Sequence, residues 1–475
     1  MQTVDWLVAA VYAALVVVLG TMLGRKQQGA SDYFLGRHSL PWPAILVSVV
    51  ATETSALTVI SVPGIGFAGQ VSFVQLALGY LIGRIAVAWL LLPGYFTGEM
   101  KTAYEVLGIR WGDPARRTAS AIFMLTRALA TAVRLFAGAI PLAVITGWSY
   151  PASIVAVGAA TVIYTYVGGI RSVVWVDVVQ WTVYIIAGIA TLIAALHLQP
   201  GALGAAAAAG RLHFFDWSIS LTNPYAFGTA LIGGAFLSAA SHGTDHLIVQ
   251  RLLATRALKD ARAALIGSGI VVIAEFTLFL LVGAALWSAF PEGRAMAGDA
   301  IFPAFVVAHL GGGLAGIVLA GILAAAMGST ASALNSLASA TTHDYYAALH
   351  PEADDARLLK VGRAATIAWA ALLIGGALLF RGRNTPVVVV ALSIASLTYG
   401  ALLGAFILAR FSRVNQRDAI AALVLGSLIM AIVVFAGPIG ITSLSKLAWP
   451  WYVPLGVLVT VSIGLVSSFA HADRR

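Results

Sequence analysis

Apolar runs of about 20 residues or more, parted by short polar breaks, fill the chain. That is the length a helix needs to cross a hydrocarbon core of roughly 30 Å. The runs lie at 4–22, 44–68, 71–97, 117–146, 151–168, 173–196, 226–249, 263–289, 300–346, 360–380, 384–409, 418–437 and 448–470. They predict an all-α polytopic membrane protein of about 13 transmembrane helices. The ninth run is too long for one simple span, which predicts a re-entrant or interfacial start before Gly311. The first run has Asp5 before it and Arg25 and Lys26 after it, the reverse of a cleaved signal peptide.

Composition agrees with the pattern. The 475 residues are 60% hydrophobic and 10% charged, with a mean hydropathy of +0.93, whereas soluble domains are roughly 25% charged. No polar segment is long enough for a separate soluble domain, so residues 1–475 read as a single membrane domain. The absence of cysteine excludes disulfides, thiolate metal sites and cysteine nucleophiles. The net charge of +9 does not point to nucleic acid, because the positive residues are scattered over short loops.

Their placement encodes topology instead. With the N-terminus outside, twenty of the 28 Lys and Arg residues, Arg251 and Arg256 among them, fall in inside loops and five in outside loops. Arg84, Arg127 and Arg134 fall within runs. The positive-inside rule then predicts an outside N-terminus, a cytoplasmic C-terminus and an odd number of spans. The outside loop 197–225 separates two groups of five runs, 44–196 and 226–410, which start on opposite sides. Such a five-plus-five arrangement is what an inverted-repeat transporter requires, with its site near the midplane where helices are interrupted. The halves share no visible sequence similarity, so topology alone carries this reading. Residues 1–43 then supply an extra N-terminal helix and inner loop, and 411–475 two extra C-terminal helices.

Candidate chemistry lies in five places. An unpaired charge at mid-bilayer costs roughly 2.5 to 3.5 kcal/mol even on insertion scales, so an intramembrane ionisable residue reads as functional by default. Glu53 qualifies, in VATETSALTVISVPG, where Thr52, Thr54, Ser55, Thr58 and Ser61 surround it and Pro63-Gly64-Ile65-Gly66 is expected to break the helix toward its outer end. A helix unwound there offers carbonyl oxygens to a cation; the alternative is a continuous helix with Glu53 paired to an arginine. In LAAAMGSTASALNSLASATTHDYY, Ser329, Ser332 and Ser336 share one helix face. Such a face serves close helix packing or supplies hard neutral oxygens to an alkali cation. In TYVGGIRSVVWVDVVQ, Gly168-Gly169 turns the chain and Asp177 enters the next helix as cation ligand, proton site or salt-bridge partner. In SAASHGTDHLIVQRLLATR, Gly243 marks an interruption, and His242, Asp245 and His246 have a metal-like spacing without a partner cluster elsewhere. Arg127 and Arg134, on one face of the fourth run, suit either an anionic substrate or the neutralisation of Glu53, Asp177 or Glu275.

These stretches, in their order and with SDYFLGRHSLPWPA before the first, resemble the sodium:solute symporter family over nearly the whole chain. The resemblance implies a leucine-transporter-type fold and a secondary active symporter in the cell (inner) membrane. By it, sodium and a small polar organic solute are taken up by alternating access without any enzymatic step. Its main sodium site maps onto the carbonyls of Ala51, Thr54 and Ala325 and the hydroxyl of Ser329. Asp177 with Ser332 matches a second ion or coupling position, and Glu53 stands where a family member has an aspartate important for coupling. Gly328 departs from a serine that in the family often completes the main site's hydroxyl pair, where Thr330 or a water would stand in. Ala331 departs from a hydroxyl used in two-sodium members, so the resemblance implies one sodium and no second complete site. Glu53, Thr58, Gln75, Arg134, Ser238, Ser241 and His242 are expected at the solute. They do not match the aromatic and amide pattern of the family's galactose transporter. Two rivals remain at this stage. One is a proton-coupled transporter with Glu53 or Asp177 carrying the proton. The other is a membrane sensor, disfavoured by the lack of a soluble domain after Phe469.

Overall fold

The computed structural model describes residues 2–24, 29–98, 100–380, 387–437 and 440–472. Of the loop cations counted above, Arg25, Lys26, Arg381, Arg383, Arg474 and Arg475 lie outside the described residues. Fifteen principal helices follow one another, all but a few of them apolar around most of their circumference. They are α1 (Thr3–Gly24), α2 (Trp42–Glu53), α3 (Ala56–Phe67), α4 (Val74–Leu90) and α5 (Asp113–Thr146). Next come α6 (Tyr150–Leu198), α7 (Phe227–Gly243), α8 (His246–Leu253), α9 (Leu258–Ala289) and α10 (Gly298–His309). The last are α11 (Leu314–Ala340), α12 (Asp355–Leu379), α13 (Val387–Leu408), α14 (Gln416–Val434) and α15 (Tyr452–Ala472).

Among the described residues, nine helices are long and apolar enough to cross a membrane, ten if the bent pair α2 and α3 is one span. The difference from the runs read in the sequence lies in three elements. The 49 residues of α6, about 74 Å at 1.5 Å per residue, are twice what one crossing needs. They reverse at Gly169, whose φ of 53° and ψ of −159° only glycine adopts easily. Tyr164 and Ser172 both touch Gly20 of α1 from either side of that point, so the chain doubles back there. The other two are α7, which is 17 residues long and continues into α8 after a break, and α13. The long ninth run resolves into two helices, with α10 standing apart and α11 starting only after Gly311-Gly312-Gly313.

Small residues draw the helices together. Side chains compete with lipid on equal terms inside a bilayer, so association rests on close packing. Between α4 and α7, a Cβ on Gly79 would lie 2.5 Å from the Leu231 carbonyl oxygen, and one on Gly234 2.5 Å from that of Leu76. The most extensive pairing joins α11 to the second half of α6, where Gly321 rests on Tyr184 and Ala187. Almost every residue of α11 is buried, which makes it the central helix of the bundle. It packs on α2, α3, α5 and α6, among them the elements that bear Glu53, Arg127, Arg134 and Asp177.

Candidate functional site

The second apolar run, 44–68, is broken in its middle. Thr54 and Ser55 are extended, and the two halves meet at 64°. No glycine or proline causes this. Ser55 and Thr58 form a capping box that starts α3 afresh, and the Ser55 N–H donates to Thr58 Oγ1 at 3.4 Å rather than to the Ala51 carbonyl. Carbonyl oxygens at the end of α2 are thereby released from the helix ladder. Pro63-Gly64-Ile65-Gly66, expected to break the helix, lies inside α3 instead, where Gly283 of α9 lets the Pro63 backbone approach.

The α11 hydroxyls meet this break. Ser329 Oγ is buried and lies 3.1 Å from the Ala325 carbonyl oxygen, so two of the expected sodium ligands sit together. Thr52 Oγ1 lies 3.3 Å from Ser332 Oγ. Beside them, Gly138 of α5 lies between Ala326 of α11 and Ala56 of α3. The α11 segment carrying Ala325 and Ser329 thus lies beside the break that carries Ala51 and Thr54.

Asp177 has a cation already. Its Oδ2 accepts from Ser48 Oγ at 2.6 Å and from Arg251 Nη2 at 3.3 Å, and Arg251 also reaches Ser332 Oγ. Arg251 completes its bonding with Ser48 Oγ at 2.9 Å and the Leu247 carbonyl at 2.8 Å. The positive-inside count had placed Arg251 in a loop, yet it is wholly buried on α8. The other Asp177 oxygen has no hydrogen-bond partner and faces Gly328.

Glu53 is likewise paired, to Arg84 of α4, whose other nitrogen donates to Ser268 Oγ at 2.6 Å. The helix is therefore broken and not continuous, and its glutamate is nevertheless paired to an arginine. His242 Nε2 lies 3.7 Å from the same Glu53 oxygen, and its Nδ1 meets Ser241 Oγ at 2.8 Å and Ser238 Oγ at 3.5 Å. The structure thus gathers Glu53, Ser238, Ser241 and His242, with Arg84, in one cluster. Gln75 does not join it. Its amide donates to the Tyr225 carbonyl at 2.7 Å and accepts from the Asp216 N–H at 3.2 Å, fastening the outer loop. Thr58 gives its hydroxyl to the cap of α3.

The two arginines of α5 part company. Arg127 pairs with Asp245, which also accepts from Tyr399 Oη at 2.7 Å and caps α8 through the Leu247 N–H at 2.9 Å. Asp245 and His246 belong to separate clusters, and among the described residues no set of side chains could hold a transition metal. Arg134, two turns further along, forms no ion pair among the described residues, and its buried Nε has no hydrogen-bond partner among them. Arg134 lies within electrostatic reach of Arg127, Tyr399 and Asp245, and also of Glu53.

A span broken at its middle, with backbone oxygens set against a hydroxyl-bearing helix, is the arrangement of a membrane transporter that binds a cation at the midplane. The chain belongs to the sodium:solute symporter family, whose sequence model matches residues 33–426. It is 27% identical over 446 residues to sodium-coupled monocarboxylate transporter 2 of Bos taurus, covering 88% of this chain and 71% of that one. It is 25% identical over 488 residues to the sodium/sialic acid symporter NanT of Aliivibrio fischeri, covering 98% and 93%. A solved sodium-coupled sialic acid symporter, in a substrate-bound outward-open state, matches with a TM-score of 0.87 over 98% of both chains. At 24% identity that likeness shows the fold. This is therefore a multi-pass membrane transporter, a sodium:solute symporter with sodium as its coupling ion.

Proposed function

We propose that the protein couples sodium entry to the uptake of a small organic solute bearing a carboxylate, and that Arg134 holds that carboxylate. The observation that carries this is the unequal fate of the two α5 arginines. Arg127 is neutralised by Asp245, whereas Arg134 beside the Glu53 cluster is not. Arg134 is half-buried with its Nε enclosed and without a hydrogen-bond partner, and a planar carboxylate matches its fork of donors. Monocarboxylates and sialic acid, named for two relatives, both carry that group. Ser238, Ser241 and His242 supply hydrogen bonds to the rest of the solute, and Glu53 with Arg84 closes the floor of the site.

In this reading one sodium binds at the carbonyls of Ala51, Thr54 and Ala325 and the hydroxyl of Ser329. The Asp177 position takes no second sodium, because the Arg251 guanidinium already supplies its positive charge. The halves 44–196 and 226–410 rock as inverted repeats in the cell membrane, with the N-terminus outside and the C-terminus in the cytoplasm. The solute crosses chemically unchanged.

The test is sodium-gradient uptake of radiolabelled pyruvate and lactate into proteoliposomes, with competition by acetate, sialic acid and their neutral amides. Carboxylates are expected to compete and amides not to. Arg134→Gln is expected to abolish uptake while sodium still perturbs tryptophan fluorescence. Equal competition by amides would remove the carboxylate from the proposal.

A further inference from the structure

A second built site lies on the lipid-facing side of the bundle. Between α4, α7 and α13 runs a groove of about 300 Å³, lined by Ile82, Ala86, Leu90, Phe236, Leu403 and Ile407, with Arg410 closing one end. Gly83, Ala235 and Ala239 also line it, so it is deep because small residues fill its floor where α4 and α7 touch. Ile82, Trp89 and Leu90 stand exposed along its edge. This face meets acyl chains once the helices are in a bilayer.

The charged end is specific. Arg410 donates to the Leu90 carbonyl oxygen. Arg262 donates to the Ala88 carbonyl oxygen at 2.9 Å and lies 4.1 Å over the Trp89 ring. The end of α4 thus engages two guanidinium groups, through carbonyl oxygens two residues apart. Carbonyl oxygens orient them without cancelling their charge, and among the described residues neither has a carboxylate partner. An exposed tryptophan at the same level suits the headgroup region of a membrane. Apolar depth, paired positive charge and an interfacial indole together describe the two ends of an anionic lipid.

We propose that this groove binds one anionic phospholipid, its acyl chain lying between α4, α7 and α13 and its headgroup phosphate resting on Arg410 and Arg262. The lipid thereby becomes a wedge between α13 and the α4–α7 pair. A zwitterionic lipid fits the groove equally but gains less from the two arginines.

Native mass spectrometry of the purified full-length protein, titrated with phosphatidylglycerol or phosphatidylcholine of identical chains, reads this directly. One phosphatidylglycerol is expected to bind more tightly than phosphatidylcholine, and each of Arg410→Gln and Arg262→Gln to weaken it roughly fivefold. Ala86→Phe, which fills the groove and leaves both charges, is expected to lose the lipid as well. Thermal unfolding of each variant in phosphatidylcholine nanodiscs controls for folding: unchanged melting there together with lost phosphatidylglycerol stabilisation supports the site. Equal retention of the two lipids would overturn it. So would retention that survives Ala86→Phe, equal stabilisation by soluble glycerol phosphate, or a dimer in the spectrum broken by Ala86→Phe.

Discussion

Glu275 of α9 accepts a hydrogen bond from the hydroxyl of Thr54, at the break between α2 and α3. Its other oxygen accepts from Trp181 Nε1 at 3.2 Å, so a buried carboxyl is held by two neutral donors. The carbonyl of the same Thr54 belongs to the proposed sodium site. A carboxylate there makes that site electronegative without touching the ion. Glu275→Gln keeps the shape and one accepting oxygen and removes the charge, while its amide nitrogen can no longer accept from the second donor. It is expected to raise the half-saturating sodium concentration about thirtyfold, the order of about 2 kcal/mol for a unit charge acting over about 8 Å at an effective dielectric near 20. Sodium titration followed by tryptophan fluorescence checks this. An unchanged titration in a folded variant would show that Glu275 contributes no charge to the ion.

Ser329 supplies the side-chain oxygen of the proposed site. Ser329→Ala is expected to weaken sodium binding by roughly 1 to 3 kcal/mol, by analogy with hydrogen bonds to charged groups. Uptake measured against sodium concentration should shift in midpoint with little loss of maximal rate. Normal sodium dependence with normal expression would remove Ser329 from the site.

Asp177 and Arg251 should behave as a pair. Removing one partner of a buried ion pair costs about 3 to 5 kcal/mol, because the other charge is left uncompensated. Asp177→Asn and Arg251→Gln are each expected to lower thermal stability and uptake. The double variant should recover much of the stability, which a thermal-unfolding cycle would show as a large coupling energy. Additive losses would mean that the two groups act independently.

Much of this was legible in the sequence because bilayer thickness imposes a length on every apolar run. The break near Glu53, the turn at Gly168-Gly169 and the hydroxyl face of α11 each left a local mark: polar residues in an apolar run, a glycine pair, a helical spacing. Ion-pair assignment left none. Glu53 meets Arg84, Asp177 meets Arg251, and Arg127 meets Asp245 across distances in sequence that periodicity does not address. Arg251 misled most, since a basic residue near the end of a run reads as a loop cation until tertiary packing buries it. The further break expected at Pro63 is absent for a related reason. Pro63 looks like a breaker, but its backbone is accommodated by Gly283, which only the folded bundle reveals.

Gly328 tests how the main site and Asp177 are kept apart. From the family pattern, a serine here would be expected to complete the sodium ligands and tighten binding. The geometry argues otherwise, since a Cβ on Gly328 would lie 2.5 Å from Gln180 Oε1 and 3.3 Å from Asp177 Oδ1. Its side chain would therefore point at α6. Gln180 is buried, and neither its amide oxygen nor its nitrogen has a hydrogen-bond partner, so it has the freedom to move but little room. Gly328→Ser alone is expected to cost about 1 to 3 kcal/mol of stability as an overpacking change, without tighter sodium binding. Combined with Gln180→Ala, which vacates the space, the serine hydroxyl can turn between Asp177 and the α11 oxygens. Sodium affinity should then rise above that of Gln180→Ala alone. Sodium titrations and melting temperatures of the three variants decide the matter. Tighter sodium binding by Gly328→Ser alone, at unchanged melting temperature, would show that position 328 faces the main site after all.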